Sequence, residues 1–369
     1  MKVAIVNDSK MAAEILRRIV AGLPDFTVAW IAYSGEEALQ LCAQSRPDVI
    51  LMDLIMPGID GAETTRRVMK TTPCVILVVT ATTIGNRDRV FEAMGYGALD
   101  AVNTPVLGPG PGLEGADTLI QKLRTVSRLV VSYEPKVRLN VPRIDVHTPD
   151  TSGLPVVAIG ASTGGPQALA EILSHLPAEF PAAVLVVQHV DEQFTPGLAA
   201  WLQHSSRLPV AIARHGELLS SCGVWLAGSK QTLTSRNGAV FYEAPAEDAA
   251  HSPSIDGLFF SLAQARLAPR VGVLLSGMGR DGAAGLLALR KSGALTIAQD
   301  ELTSVVYGMP KAAADIGAAV EILPLPAIGP RICASILAHQ PAAERLPAQG
   351  PEQQASSKIS THAAKIPKT

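Results

Sequence analysis

Two spacings of apolar residues alternate along the chain. Short runs in which nearly every position is apolar give way to stretches where apolar residues return every three or four positions, and the pair repeats. Short continuous runs predict buried strands, and the 3.6-residue return predicts helices packed on one face. In the first third, strands are expected at Val3 to Val6, Thr27 to Ala32, Val49 to Met52 and Cys74 to Val79. Helices are expected at Lys10 to Ala21, Gly35 to Ser45, Ala62 to Lys70, Asp88 to Met94 and Leu119 to Val131. Such alternation argues for βαβ units around a parallel sheet. The Gly- and Pro-rich stretch from Gly108 to Gly115 predicts a loop.

The pattern fails from Ser132 to Gly153, where Pro and polar residues dominate, and resumes at Leu154. New strands are expected at Val156 to Ile159, Ala183 to Val187, Val210 to Ala213, Gly223 to Leu226, Val271 to Leu275 and Leu295 to Ala298. Helical spacing covers Gln167 to Leu176, Asp256 to Ala265 and Gly282 to Lys291. The chain thus divides into an α/β unit over 1–131, a linker over 132–153, a second doubly wound α/β unit over 154–340 and a tail over 341–369. The tail is rich in Ala, Pro, Gln, Ser and Lys and is expected to be disordered.

Composition narrows the classes. With 369 residues the chain fits two domains, and 47% apolar against 17% charged residues supplies both cores. Aromatics are only 4%, so the cores must be built from Ala, Val, Leu and Ile. A net charge of -2 offers no nucleic-acid footprint. Cys42, Cys74, Cys222 and Cys333 lack metal-ligand spacing and are expected to be isolated buried thiols. The first apolar run stops at Asn7-Asp8, too soon for a signal peptide, and no stretch approaches membrane-spanning length, so a cytoplasmic protein without membrane insertion is expected.

Chemistry collects where strands end, as it does in open parallel sheets. Asn7 and Asp8 follow the first strand, Asp53 the third and Thr80 the fourth. Two facing carboxylates need a cation between them, and a hard ion such as Mg²⁺ suits oxygen ligands. One acid is then free to attack a phosphoryl donor, and a nearby hydroxyl can bond the phosphate. The plainer alternative is a pair of solvated loop acids. The segment Leu51-Met-Asp-Leu-Ile-Met-Pro-Gly-Ile-Asp-Gly61 resembles the receiver domains of two-component systems, over about residues 1 to 130. The resemblance implies a flavodoxin-like domain phosphorylated by a histidine kinase at Asp53. It further implies Mg²⁺ on Asp8, Asp53 and the Ile55 carbonyl, with Thr80 as the switch hydroxyl. Asn7 replaces a usual acid, Thr104 stands where a phosphate-contacting lysine is normal, and Ala101 stands where a switch aromatic is common. A missing lysine removes a cation from the phosphate site.

The second unit opens with Gly160-Ala-Ser-Thr-Gly-Gly-Pro166, a G-x-S-x-G turn after a strand. Glycines permit the sharp turn that exposes a serine above a sheet edge, and the helix that follows favours developing negative charge. His189 follows the next strand and Asp281 lies on the loop after a later one, which supplies a base and an orienting acid for Ser162. Dinucleotide binding is the nearest rival, but it wants an acid about 20 residues on, where this chain has the apolar run near Leu185. The alternative for Asp281 is a cap on the helix beginning near Gly282. The order Ser162, His189, Asp281 argues against the α/β-hydrolase fold.

Further segments are Gln188-His189, Pro253-Ser-Ile-Asp-Gly-Leu-Phe259, Gly277-Met-Gly-Arg-Asp-Gly282 and Gln299-Asp-Glu-Leu-Thr-Ser-Val-Val-Tyr-Gly-Met-Pro310. With these, residues 154 to 335 resemble the catalytic domain of the chemotaxis-type protein-glutamate methylesterases, the CheB family. The resemblance implies a Rossmann-like doubly wound hydrolase domain with Ser162 as nucleophile, His189 as base and Asp281 as its partner. Thr163 and the Met278 N–H would stabilise the oxyanion. The substrate would be a methyl-accepting chemoreceptor, methanol the product and glutamine deamidation a second activity, with no cofactor for the ester chemistry. Ala227-Gly-Ser-Lys-Gln231 departs from the usual Pro-Gly-Asp loop. Asn7-Asp8 and Asn103-Thr-Pro105 also resemble the methylesterase of the Wsp surface-sensing pathway.

Overall fold

The computed structural model describes residues 1–80, 87–107, 113–131, 153–244, 253–264 and 270–338. The expected linker, apart from Gly153, and the expected tail lie outside the described residues.

The first unit runs β1 (Lys2–Val6), α1 (Lys10–Ala21), β2 (Thr27–Ala32), α2 (Gly35–Gln44), β3 (Val49–Met52), α3 (Gly61–Thr71), β4 (Val75–Thr80), α4 (Arg87–Gly95), β5 (Asp100–Asn103), β6 (Val106–Leu107), β7 (Leu113–Glu114) and α5 (Ala116–Val131). Its five-stranded parallel sheet has the order β2-β1-β3-β4-β5. Side chains of Ser9, Ser34 and Asp60 cap α1, α2 and α3 by accepting an amide of the first turn. β5 escaped the hydrophobic pattern because its four residues begin and end polar. The stretch expected as a plain loop is partly paired: Leu113–Glu114 lies antiparallel to Val106–Leu107.

The second unit runs β8 (Val156–Ala161), α6 (Gly165–Ser174), β9 (Ala183–Gln188), a short 3-10 turn, α7 (Thr195–Ser205), β10 (Val210–Ile212), β11 (Glu217–Leu218), β12 (Gly223–Leu226), β13 (Thr232–Arg236), β14 (Ala239–Glu243), α8 (Ile255–Gln264), β15 (Arg270–Leu274), α9 (Ala283–Lys291), β16 (Leu295–Gln299), α10 (Met309–Asp315), β17 (Glu321–Leu323) and α11 (Leu325–Ala338). Seven parallel strands form one sheet in the order β10-β12-β9-β8-β15-β16-β17. β11, β14 and β13 make a small antiparallel sheet that the alternating pattern did not announce.

The strand order reverses between β1 and β3 in the first parallel sheet and between β8 and β15 in the second. Loops leaving the carboxyl ends diverge there and open a crevice.

The cores are aliphatic, as the composition required. One apolar cluster continues from the first unit into the second. At the junction Phe91 and Met94 of α4 are buried, and the Phe91 ring lies 6.2 Å from that of Trp201 on α7. Cys42 is buried as expected, whereas Cys74, Cys222 and Cys333 are only partly so, and all four are free thiols. Burial pushes the Cys42 thiol up to about 11 and that of Cys74 up to about 12, which leaves both unreactive near neutral pH.

Candidate active site

β8 and β9 are paired with Ala161 beside Gln188, so the next residue on each strand, Ser162 and His189, emerges on the same rim. The turn after β8 is tight. Gly164 has φ +78 and a Cβ there would lie 2.6 Å from the Val305 side chain, so only glycine fits. Ser162 is 9% exposed and Thr163 6%. On the other side, β15 leads into Ser276 and the loop that carries Met278 and Asp281. That loop presses on the serine: a Cβ on Gly277 would lie 2.6 Å from Ser162 Cβ.

The support for both loops comes from buried polar groups. The Ser276 hydroxyl donates to the Thr163 carbonyl at 2.7 Å and accepts from the Val306 N–H at 2.8 Å. The Ser276 N–H donates to the Gln299 amide oxygen at 2.8 Å, and Gln188 Nε2 donates to the Ser162 carbonyl at 2.8 Å. The segment 299–310 therefore braces the nucleophile turn from behind.

His189 Nε2 and Asp281 Oδ2 are 2.8 Å apart, and both side chains are about nine-tenths buried. Burial alone would raise the Asp281 pKa. The His189 hydrogen bond and the amides of Asp256 and Ile255 more than offset that, and hold the carboxyl below its ordinary value. A carboxylate kept ionised against an imidazole fixes the orientation of the ring. Asp281 does not cap the helix that follows it. The cap residue of α9 is Gly282, with no side-chain bond.

A cavity of about 400 Å³ contains Ser162, Thr163, His189 and Met278, and its opposite wall is the first unit: Asn103 of β5 and Lys122 of α5 line it. The contacts across it are specific. The Thr163 hydroxyl donates to Asp100 Oδ2 at 2.9 Å, and the other oxygen of Asp100 is 2.6 Å from Lys122 Nζ. Asn103 Nδ2 donates to Asp191, and the Thr125 hydroxyl touches the Met278 sulfur. Nothing in the sequence singled out Asp100, Lys122 or Thr125. A charged residue at a strand start and two on an amphipathic helix carry no signal until the second unit is set against them.

The other rim holds the acids. Asp53 follows β3 and its N–H bonds the Val6 carbonyl of β1, so Asp8 and Asp53 meet across the β1/β3 crevice. Burial raises the Asp53 pKa; the amides of Ile55 and Leu54 and the Thr80 hydroxyl oppose this, and the Asp8 charge adds to it. The Thr80 hydroxyl is buried and interacts with Asp53 from a position too poor for a well-formed hydrogen bond. Asn7 is buried and its side-chain oxygen accepts the Ser9 N–H at 2.9 Å, a structural use at the start of α1. Thr104 bonds the Thr80 carbonyl through its N–H at 3.1 Å. Asp8 and Asp53, two carboxylates on one rim, form an oxygen donor set that suits a hard divalent ion. Among the described residues no helix is long and apolar enough to cross a membrane.

Comparison with known proteins covers both units. The family described as "CheB methylesterase" matches residues 157–332, and "Response regulator receiver domain" matches residues 3–107. A Cupriavidus pinatubonensis protein named protein-glutamate methylesterase/protein-glutamine glutaminase 1 is 50% identical, over 91% of this chain and 98% of its own. A Pseudomonas aeruginosa protein of the same name, numbered 3, is 49% identical over 90% and 98%. The crystal structure of the Thermotoga maritima CheB methylesterase catalytic domain is 34% identical, with TM-score 0.48, over 50% of this chain and 99% of that one. About half identical to the Cupriavidus and Pseudomonas proteins over some nine-tenths of its length, the chain belongs to the CheB methylesterase family and carries that family's catalytic domain behind a response-regulator receiver domain.

Proposed function

We propose that this protein hydrolyses glutamate γ-methyl esters on methyl-accepting chemoreceptors under control of receiver phosphorylation. The observation that carries the reading is the ionised Asp281 held on His189 in a crevice shared with Ser162, with receiver residues forming the opposite wall. The Ser162 hydroxyl attacks the γ-carbonyl carbon while His189 Nδ1 takes its proton. The oxyanion draws on the Thr163 hydroxyl and the Met278 N–H. Methanol leaves with the proton from His189. Water then attacks the acyl-serine with the same base, which regenerates Ser162 and leaves a glutamate side chain. A glutamine substrate gives the same acyl-enzyme with ammonia as leaving group, in keeping with the second half of the relatives' names.

Control comes from the other rim. Asp53 is the phosphoacceptor, supplied by a histidine kinase. Asp8, Asp53 and the Ile55 carbonyl would hold Mg²⁺, which when bound neutralises charge on the phosphoryl oxygens. Thr80 bonds the phosphate and relays its presence to β5, its neighbour in the sheet. In the closed arrangement Asp100 occupies the Thr163 hydroxyl, so the receiver both narrows access and engages an oxyanion donor. Phosphorylation shifts the population away from that arrangement. Among the family's pathways, the Asn7-Asp8 and Asn103-Thr104-Pro105 residues fit the surface-sensing type.

The test is methanol release from a methylated receptor fragment, with and without a small phosphoryl donor plus Mg²⁺. Release that rises with the donor in the wild type and stays flat in Asp53→Ala is the expected outcome. Release by neither protein under any condition would sink the proposal.

A further inference from the structure

The segment Pro253-Ser-Ile-Asp-Gly-Leu-Phe259 has no part in the scheme above, yet it encloses the far side of the catalytic acid. Both oxygens of Asp281 are saturated from it. Oδ2, which also takes the His189 bond, accepts the Ile255 N–H at 2.8 Å. Oδ1 accepts the Asp256 N–H at 2.9 Å and the Ser254 hydroxyl at 3.2 Å. The Ser254 oxygen in turn accepts the Gly257 N–H at 3.2 Å, so its proton is directed at Asp281. These are the groups of the first turn of α8, where free amides point outward and favour an anion.

The arrangement is reciprocal. The cap residue of α9 is Gly282, which has no side chain to cap it, and the Gly285 N–H is taken by Asp256 Oδ1 at 2.6 Å. Asp281, two residues before α9, therefore caps α8, while Asp256, in the first turn of α8, caps α9. The exchange requires the helices to touch. They do so at Gly285, where a Cβ would lie 2.6 Å from Phe259 Cβ and 2.9 Å from the Asp256 carbonyl.

From this geometry we infer that Ser254 and Asp256 are positioning residues of the esterase: by exchanging helix caps with Asp281 they hold its carboxylate in the one orientation that presents Oδ2 to His189. The inference rests on the triad reading above. A carboxylate with three donors behind it cannot rotate, whereas one held by His189 alone can. Asp256 acts one step further back, by locking α8 against α9 so that the donors stay aimed.

The experiment uses the full chain with the phosphoryl donor and Mg²⁺ present throughout. It reads kcat and KM for methanol release from the methylated receptor fragment, and the downfield proton resonance of the His189–Asp281 hydrogen bond. Ser254→Ala and Asp256→Ala should each lower kcat about tenfold with KM unchanged, the loss of one bond to a charged acceptor. Each should broaden or shift the downfield proton. Ser254→Thr keeps the hydroxyl and Asp256→Asn keeps an acceptor oxygen, so both should retain most of kcat. Wild-type kcat and an unmoved resonance in Ser254→Ala would overturn the inference. An equal loss in Ser254→Ala and Ser254→Thr would also overturn it, because the hydroxyl would then not be the acting group. Should Asp256→Ala fail to fold, the two Ser254 variants decide alone. Full activity in Ser162→Ala would be a different result, which removes the triad reading itself.

Discussion

Asp53 and Asp281 hold equivalent places in two parallel sheets, yet the protein treats them in opposite ways. Both lie at a reversal of strand order, and both are largely buried. Around Asp53 the neighbours leave a deficit of positive charge: burial and Asp8 raise its pKa above the ordinary 3.8. Around Asp281 the deficit is filled. His189 and the α8 amides bring its pKa below 3.8 despite deeper burial. Topology supplies a crevice, but the local donors decide what it is for. On the proposed reading, the carboxylate left wanting charge takes a cation and a phosphoryl group, and the saturated one orients its partner.

The largest effects should come from the saturated site. Ser162→Ala should lower methanol release by about a millionfold, with the fold retained. Asp281→Asn should lower it about 10⁴-fold, since the amide cannot hold the imidazole in the same tautomer. If Asp281→Asn retained activity within a few-fold, Asp281 would not be an orienting acid, and the contrast with Asp53 would lose its meaning.

A smaller effect of opposite sign is expected between the domains. Asp100→Ala frees the Thr163 hydroxyl and should raise activity without phosphoryl donor about tenfold, while activity with the donor changes little. An unchanged basal rate would show that the Asp100 contact plays no part in closing the site.

The smallest effect tests the electrostatics directly. A carboxyl whose folded pKa is raised keeps more protons in the folded than in the unfolded state. Asp53 therefore lowers stability increasingly as pH rises from its ordinary 3.8 through its folded pKa. Asp281 has the reverse sign: its contribution is present above 3.8 and is lost as pH falls through its lower folded value. Asp53→Asn should raise the melting temperature at neutral pH by roughly 2 °C. The gain should vanish near about pH 3, where Asp53 is protonated in both states. Mg²⁺ should raise the melting temperature of the wild type and not of Asp53→Asn. A destabilised Asp53→Asn at neutral pH would mean that the deficit at that rim is compensated.

Much of this was legible in advance. Strands of four to six apolar residues ending at Asp8, Asp53, Ser162 and His189 marked the two rims, because residues after parallel strands share one edge wherever the helices lie. β5 and the antiparallel sheet of β11, β13 and β14 were not legible. The first is short and polar at both ends, and the second carries mixed residues whose burial depends on what covers them. The sequence pointed to Asp281 as the partner of His189, with an open alternative, a cap for α9. Whether an acid before a helix faces that helix or another is not a local property.

The sequence by itself determined two α/β units, the chemistry at their strand ends and the residue types each rim offers, since these follow from periodicity and from chain order. Only the tertiary structure decided that Asp100 reaches Thr163 across a domain boundary and that Asp256 and Asp281 exchange helices. Each of these contacts joins residues 25 or more positions apart in the chain, and its strength depends on burial and on donor direction, quantities that exist only once the chain has folded.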